Sequence, residues 1–280
     1  LAAAVIACAF ALACSLAGCA SGGTGSSSAD ADNTSASTDG KTLRVAMELA
    51  YPPFETKDDA GNPEGLAVDF IRDFGAAYGY DVQIENTAWD GLIPSLQSDK
   101  ADLVISSMTI TDERKQSVDF SDAYAMAQLA ILANADSGVA SIDDLNQPGK
   151  KVAVKTGSTG DVYATKNLTN AEIVRLADES ACVTEVVQGK ADGFLYDQLT
   201  IYRNHQANPD TTEAVFIPFQ DAEEWGIAVK KGDTELLDQL NAFIAQSKTD
   251  GEFDRLTEKY LADEKKAFDQ YGFKWFFDFE

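Results

Sequence analysis

A chain of 280 residues is long enough for one large domain or two ordinary ones, and with 45% hydrophobic residues both halves can bury a core. Its 46 acidic residues outweigh 22 basic ones and leave a net charge of −24, a field that repels phosphate backbones and argues against a nucleic-acid partner. Cys8, Cys14 and Cys19 share one apolar N-terminal stretch, Cys182 has no partner in the body, and His205 is the one histidine, so no internal disulfide, metal site or cofactor is expected.

Leu1 to Gly18 is apolar and uncharged, and reads as a signal-peptide core rather than a membrane span. Leu16-Ala17-Gly18-Cys19 follows and resembles the lipobox of bacterial lipoproteins. That resemblance implies cleavage before Cys19 and its lipidation, giving an extracytoplasmic protein anchored to the cell membrane. Residues 20–40 are almost wholly Ser, Gly, Thr, Ala and Asp and cannot form a core. With Cys19 they form a flexible tether with a reach of roughly 25 Å.

The folded body begins at Lys41. Leu43, Val45 and Met47 alternate as a strand does, and Tyr51-Pro52-Pro53-Phe54 is a rigid loop. Leu66, Phe70, Phe74 and Tyr78 share a helix face. Val82 and Ile84 mark a strand; Trp89, Ile93 and Leu96 mark a helix with Pro94 in its first turn; Leu103 to Ser106 mark another strand. The pattern restarts at Val152-Ala153-Val154, with strands at Ile173-Val174 and Gly193 to Tyr196 and a helix near 179–189. Ala214 to Ile217 and Trp225 to Lys230 add strands, and Leu236, Leu240, Phe243 and Ile244 share the face of a late helix. Two α/β units with open sheets follow.

Four groups can carry chemistry. Ser106, Ser107 and Thr109 lie where a strand turns into a short helix at Arg114, and open sheets bind ligands at such carboxyl ends. A guanidinium in a first turn opposes the helix dipole, which fits a facing ligand carboxylate; a surface pair with Asp112 or Asp119 is the other reading. Gly157-Ser158-Thr159-Gly160 offers free amides to an anion but lacks the lysine and spacing of a nucleotide loop. Asp197 ends a strand, where it can hold an ammonium or cap the next helix. Glu48, Tyr51, Phe54 and Trp89 gather rings and an acid near early strand ends, with core packing competing for Phe54.

In order, Glu48 to Phe54, Trp89 to Leu96, Ser106 to Arg114, Val118 to Asp122, Lys155 to Thr159 and Trp225 to Val229 resemble the polar amino-acid solute-binding proteins of ABC transporters (solute-binding family 3). The resemblance implies a type II, two-lobed periplasmic-binding-protein-like fold with ligand between the lobes. Each lobe is an open sheet flanked by helices, and two crossovers near 131–135 and 222–226 form the hinge. Residues 41–131 and 224–263 would make the first lobe and 132–223 the second, with 264–280 as a C-terminal extension. Carried over, Arg114 holds an α-carboxylate with Ser107, Thr109 and the amides at Ser158 and Thr159, and Asp197 holds the α-ammonium. Ser106 belongs to the same strand end, Tyr51 and Trp89 line the side-chain pocket, and Glu48 favours a cationic side chain such as arginine or lysine. The implied partners are the amino acid and the permease subunits, and the protein itself is expected to be a monomer. An enzyme resembling cyclohexadienyl dehydratase is the alternative on this fold, with Glu48 as its acid or base. The aromatic end, Phe273 to Phe277, either packs on a lobe or meets a partner.

Overall fold

Alternation decides where the first strand points. The computed structural model describes residues 41–271 and 274–279; Cys19 and the expected signal peptide and tether lie outside them. Strand β1 (Lys41–Met47) buries Leu43, Val45 and Met47 on one face. Ala46 is buried too, because β1 lies between two neighbours and is covered on both sides. A small hairpin, β2 (Thr56–Lys57) and β3 (Pro63–Glu64), leads into helix α1 (Leu66–Tyr78) and strand β4 (Tyr80–Asn86). Leu66, Phe70 and Phe74 of α1 face the core, whereas Tyr78 comes to the surface and stacks back on Phe74. Then come α2 (Leu92–Gln97), β5 (Leu103–Val104), β6 (Val118–Phe120) and β7 (Ala125–Ala127).

The second lobe follows as one continuous stretch. It runs β8 (Leu129–Asn134), α3 (Ile142–Leu145), β9 (Lys151–Lys155), α4 (Thr159–Asn167) and β10 (Glu172–Leu176). It closes with α5 (Glu179–Val187), β11 (Gly193–Asp197), α6 (Gln198–Ala207) and β12 (Thr212–Val215). The chain returns through β13 (Glu223–Trp225), β14 (Ala228–Lys230), α7 (Thr234–Ser247), α8 (Glu252–Tyr260) and α9 (Ala262–Tyr271). No helix among the described residues is long and apolar enough to cross a membrane.

Two five-stranded sheets result, ordered β4-β1-β5-β14-β6 and β10-β9-β11-β8-β12. Each is parallel except around a strand that comes from the other side of the hinge: β14 runs antiparallel to β5, and β8 antiparallel to β11. The hinge itself is a two-stranded ladder, β7 against β13, pairing Ala127 with Glu223 and Ala125 with Trp225.

One expectation needs correction. The first crossover, expected near 131–135, lies earlier: Leu129–Asn134 is a full member of the second sheet, so a lobe boundary at 131 would cut β8 in half. The strand escapes a period-two reading because Leu129 to Ala133 are all buried and nothing alternates. The strand content expected in Trp225 to Lys230 is divided between β13 and β14. It breaks at Gly226, where a Cβ would come within 2.8 Å of the Ile110 side chain, and its two halves join different sheets.

The C-terminal aromatic segment packs on the first lobe. Phe268, Trp275 and Phe276 are buried, and Phe276 lies 5.2 Å from Phe54 and 5.5 Å from Trp225, ring to ring. Its carbonyl accepts a hydrogen bond from the Met126 amide at 2.7 Å, so the segment also braces the hinge strand β7.

Candidate functional site

Strand ends place the site. Glu48 follows β1, Trp89 follows β4, Ser106 and Ser107 follow β5, Ser158 and Thr159 follow β9, and Asp197 ends β11. In open parallel sheets these ends converge on one crevice. Here the crevices of two lobes face each other. All ten ligand-contact residues expected from the sequence line one interlobe cavity: Glu48, Tyr51, Trp89, Ser106, Ser107, Thr109 and Arg114 from the first lobe, Ser158, Thr159 and Asp197 from the second. The empty space between these residues, with the open mouth included, is about 480 Å³.

Arg114 opens a short 3-10 turn, Arg114–Gln116. Its guanidinium donates to the Thr109 carbonyl at 2.7 Å and, across the lobes, to the Gly157 carbonyl at 3.1 Å. It also lies 5.2 Å from the centre of the Trp89 ring. Neither Asp112 nor Asp119 pairs with it; Asp119 is bound to Lys231 instead. Among the described residues no carboxylate lies within ion-pair distance of Arg114. Burial pulls the guanidinium below its ordinary value, and the Glu223 charge works against that.

Gly160 lets the second lobe present its groups together. A Cβ there would come within 2.4 Å of the Leu195 carbonyl, so only glycine lets α4 lie this close to β11. The start of α4 and the end of β11 therefore open into one place. Asp197 caps α6, with Oδ1 accepting from the amides of Leu199 and Thr200. The same oxygen accepts from the Tyr51 hydroxyl of the first lobe at 2.7 Å. The capping and cavity readings of Asp197 thus both hold as geometry. Burial raises its carboxyl above the usual range, while Tyr51 and the helix amides oppose that.

Other expected donors are already engaged. The Ser158 amide closes a turn onto the Lys155 carbonyl and its hydroxyl caps Asp161, so of the two amides expected to face an anion only that of Thr159 stays in question. Ser106 Oγ accepts from the Glu48 amide, and Ser107 Oγ donates to Glu55 at 3.2 Å. Ser107 adopts a left-handed φ of 48° and its amide donates to the Tyr124 hydroxyl. Glu55 is buried, and desolvation lifts its carboxyl well above the usual range.

Several cavity residues carried no signal that sequence reasoning used. Glu55 follows Phe54 in a loop, where an acid suggests solvent. Glu223 lies in an acidic stretch at the second crossover, where charge alone suggests solvent. Lys155 ends β9 just before the glycine turn, yet it is almost fully buried, forms an ion pair with Glu48 across the lobes, and lies 5.1 Å from the Trp89 ring centre. Beyond this pair a second cavity, lined by Lys155, Glu179, Thr200 and Arg203, shares Glu48 with the first. No group of three His, Cys, Asp or Glu among the described residues is arranged to hold a metal ion.

A family model described as bacterial extracellular solute-binding proteins, family 3, matches residues 43–263. The chain is 37% identical over 258 residues to the probable histidine-binding protein of Neisseria gonorrhoeae, covering 91% of this chain and 94% of that one. It is 34% identical over 253 residues to the L-arginine-binding protein of Pseudomonas aeruginosa, covering 83% and 90%. Among solved structures, the ancestral amino acid-binding protein AncCDT-1, a precursor of cyclohexadienyl dehydratase, superposes with a TM-score of 0.72 at 38% identity, covering 78% of this chain and 94% of that one.

Proposed function

The chain belongs to family 3 of the bacterial extracellular solute-binding proteins, and from that premise we propose that it clamps one free α-amino acid between its lobes and delivers it to the permease of an ABC importer. Lipidation of Cys19 would hold it outside the cell membrane while it does so. One observation carries the reading. Arg114 is a half-buried guanidinium facing the cavity with no carboxylate in ion-pair range among the described residues, and Asp197 faces it from the other lobe. A zwitterion supplies both missing charges at once, which offsets the cost of burying it. In this scheme Arg114 and the Thr159 amide at the start of α4 take the α-carboxylate. Ser107 stands beside them, with its hydroxyl donating to Glu55 at 3.2 Å. Asp197 takes the α-ammonium. A ligand bridging groups from both lobes favours the closed state.

A cationic side chain is favoured. Glu48, Asp197 and Glu223 line the cavity against one cation, Arg114, and the relatives include proteins named for arginine and histidine. A neutral polar side chain is the second reading, because Lys155 already compensates Glu48 and lies against Trp89. The Lys155 ion pair also weighs against dehydratase chemistry, since Glu48 is the candidate acid or base.

Isothermal titration with arginine, lysine, histidine, glutamine and cystine tests the proposal. Submicromolar binding of at least one is expected, with a matching rise in melting temperature. No heat and no shift with any of them would refute it. Lys155→Met should move preference toward arginine and lysine by about tenfold, because it uncovers the Glu48 charge.

A further inference from the structure

Glu223 is given no contact with the ligand's α-carboxylate or α-ammonium in that scheme, yet it touches both lobes. It sits on the hinge strand β13 and lines the cavity. Its Oε2 accepts from the Thr109 hydroxyl of the first lobe at 2.9 Å and from the Thr159 hydroxyl of the second at 2.7 Å. Its Oε1 accepts from Gln220 Nε2 at 2.7 Å, so both carboxylate oxygens are fixed.

A threonine hydroxyl has one proton and two lone pairs. Thr109 and Thr159 direct their protons at the same carboxylate oxygen. What each can show the cavity is therefore a lone pair. An α-carboxylate has only acceptors and gains nothing from such a hydroxyl, whereas an α-ammonium has only donors and is suited to it. Thr109 is also where the two polarities divide, since its carbonyl is held by Arg114 and its hydroxyl by Glu223.

We propose that Glu223 is a positioning residue that makes the cavity selective for an α-amino group: by holding the protons of Thr109 and Thr159 it turns both hydroxyls into acceptors and adds a second seat for the ammonium beside Asp197. This revises the part given to Thr109 by the family resemblance, which put it on the carboxylate. The two threonines belong to different lobes. Their shared carboxylate brings the acceptors together only when the lobes are closed, so recognition of the amino group is tied to closure.

The inference rests on the proposed amino-acid site, and the experiment separates the two. L-arginine, L-histidine and L-glutamine are each titrated against the analogue lacking the α-amino group, in the wild-type protein and in Glu223→Gln. The expected result is a fall of about tenfold in affinity for the amino acids that bind, the scale of one hydrogen bond to a charged group, with the deaminated analogues changed less than about twofold. Parallel losses for both classes would mean a purely structural role and overturn the proposal. In a Thr109→Val, Thr159→Val background, Glu223→Gln should leave the ratio of amino acid to analogue where it stands, since no hydroxyl remains to direct. A further fall in that ratio also overturns it. Wild-type protein that binds none of the three amino acids or their analogues, nor lysine or cystine, refutes the parent site, and this inference with it.

Discussion

The two lobes are built on different materials. The first is assembled from two stretches of chain around rings: Phe54, Phe70, Phe74, Tyr124, Phe253, Phe268 and Phe276 lie in one buried cluster. The second is one stretch, with its buried side chains in two smaller, mainly aliphatic groups on either face of its sheet, around Ile131, Val152 and Leu195 and around Leu132, Ala153 and Phe194. The aromatic cluster continues directly into the cavity wall, because Tyr51 and Trp225 belong to both. Packed rings resist displacement, so the first lobe supplies a stiff floor on which Arg114 is placed. The second lobe contributes helix starts: Thr159 opens α4 and Asp197 caps α6. One lobe orients the ligand and the other arrives with polar groups to close on it.

The sharpest way to break this division is to remove the group assigned to the first lobe. Arg114→Ala should weaken binding of every α-amino acid by about a thousandfold or more, as expected when one partner of a buried charge pair is lost. Titration within tenfold of wild type would show that the carboxylate is held elsewhere.

A smaller effect should separate the lobes as folding units. Phe276→Ala removes a fully buried ring and should cost about 3–5 kcal/mol. Denaturant unfolding followed by tryptophan emission should show that loss, because Trp225 and Trp275 lie against Phe276. Phe194→Ala in the second lobe is the matched control. If the two variants shift one common transition equally, the lobes unfold as a single unit and the division describes packing alone.

The smallest effect concerns the second lobe's charge. Burial lifts the Glu179 carboxyl to about 8, with Asp197 adding to it. A carboxyl raised on folding is favoured while protonated. Its contribution is full below the ordinary glutamate range and is lost as pH rises through about 8. The wild-type melting temperature should therefore fall more steeply than that of Glu179→Gln between acidic and alkaline pH. Parallel curves for the two proteins would remove Glu179 from this role.

Much of this was legible in the residues. Period-two and period-four spacing reveals β1 and α1 because the large apolar side chains of each fall on one face. The cavity residues announce themselves by standing at strand ends, where a guanidinium, hydroxyls and a carboxylate lack an obvious structural use. What stayed hidden has a physical reason. Strand β8 is buried on both faces and leaves no period. Lys155 and Glu223 find cavity partners in distant parts of the chain, with Glu48 lying 107 positions away from Lys155 in sequence and Thr109 lying 114 from Glu223. No local pattern encodes a contact of that range. The readings left open for Asp197 were not rivals, because one carboxylate can cap a helix with one oxygen and still face the cavity.

Strand β14 sits between β5 and β6 in the first sheet, although the whole second lobe is made before it. During synthesis the second lobe can complete its sheet as soon as β12 emerges. The first lobe must keep β5 and β6 apart, with their apolar faces open, until the chain comes back. Order of emergence thus makes the later-finished lobe the one with the sticky aromatic interior, and the interval before β14 docks is when this protein is most exposed to misassembly and most dependent on being kept from its neighbours.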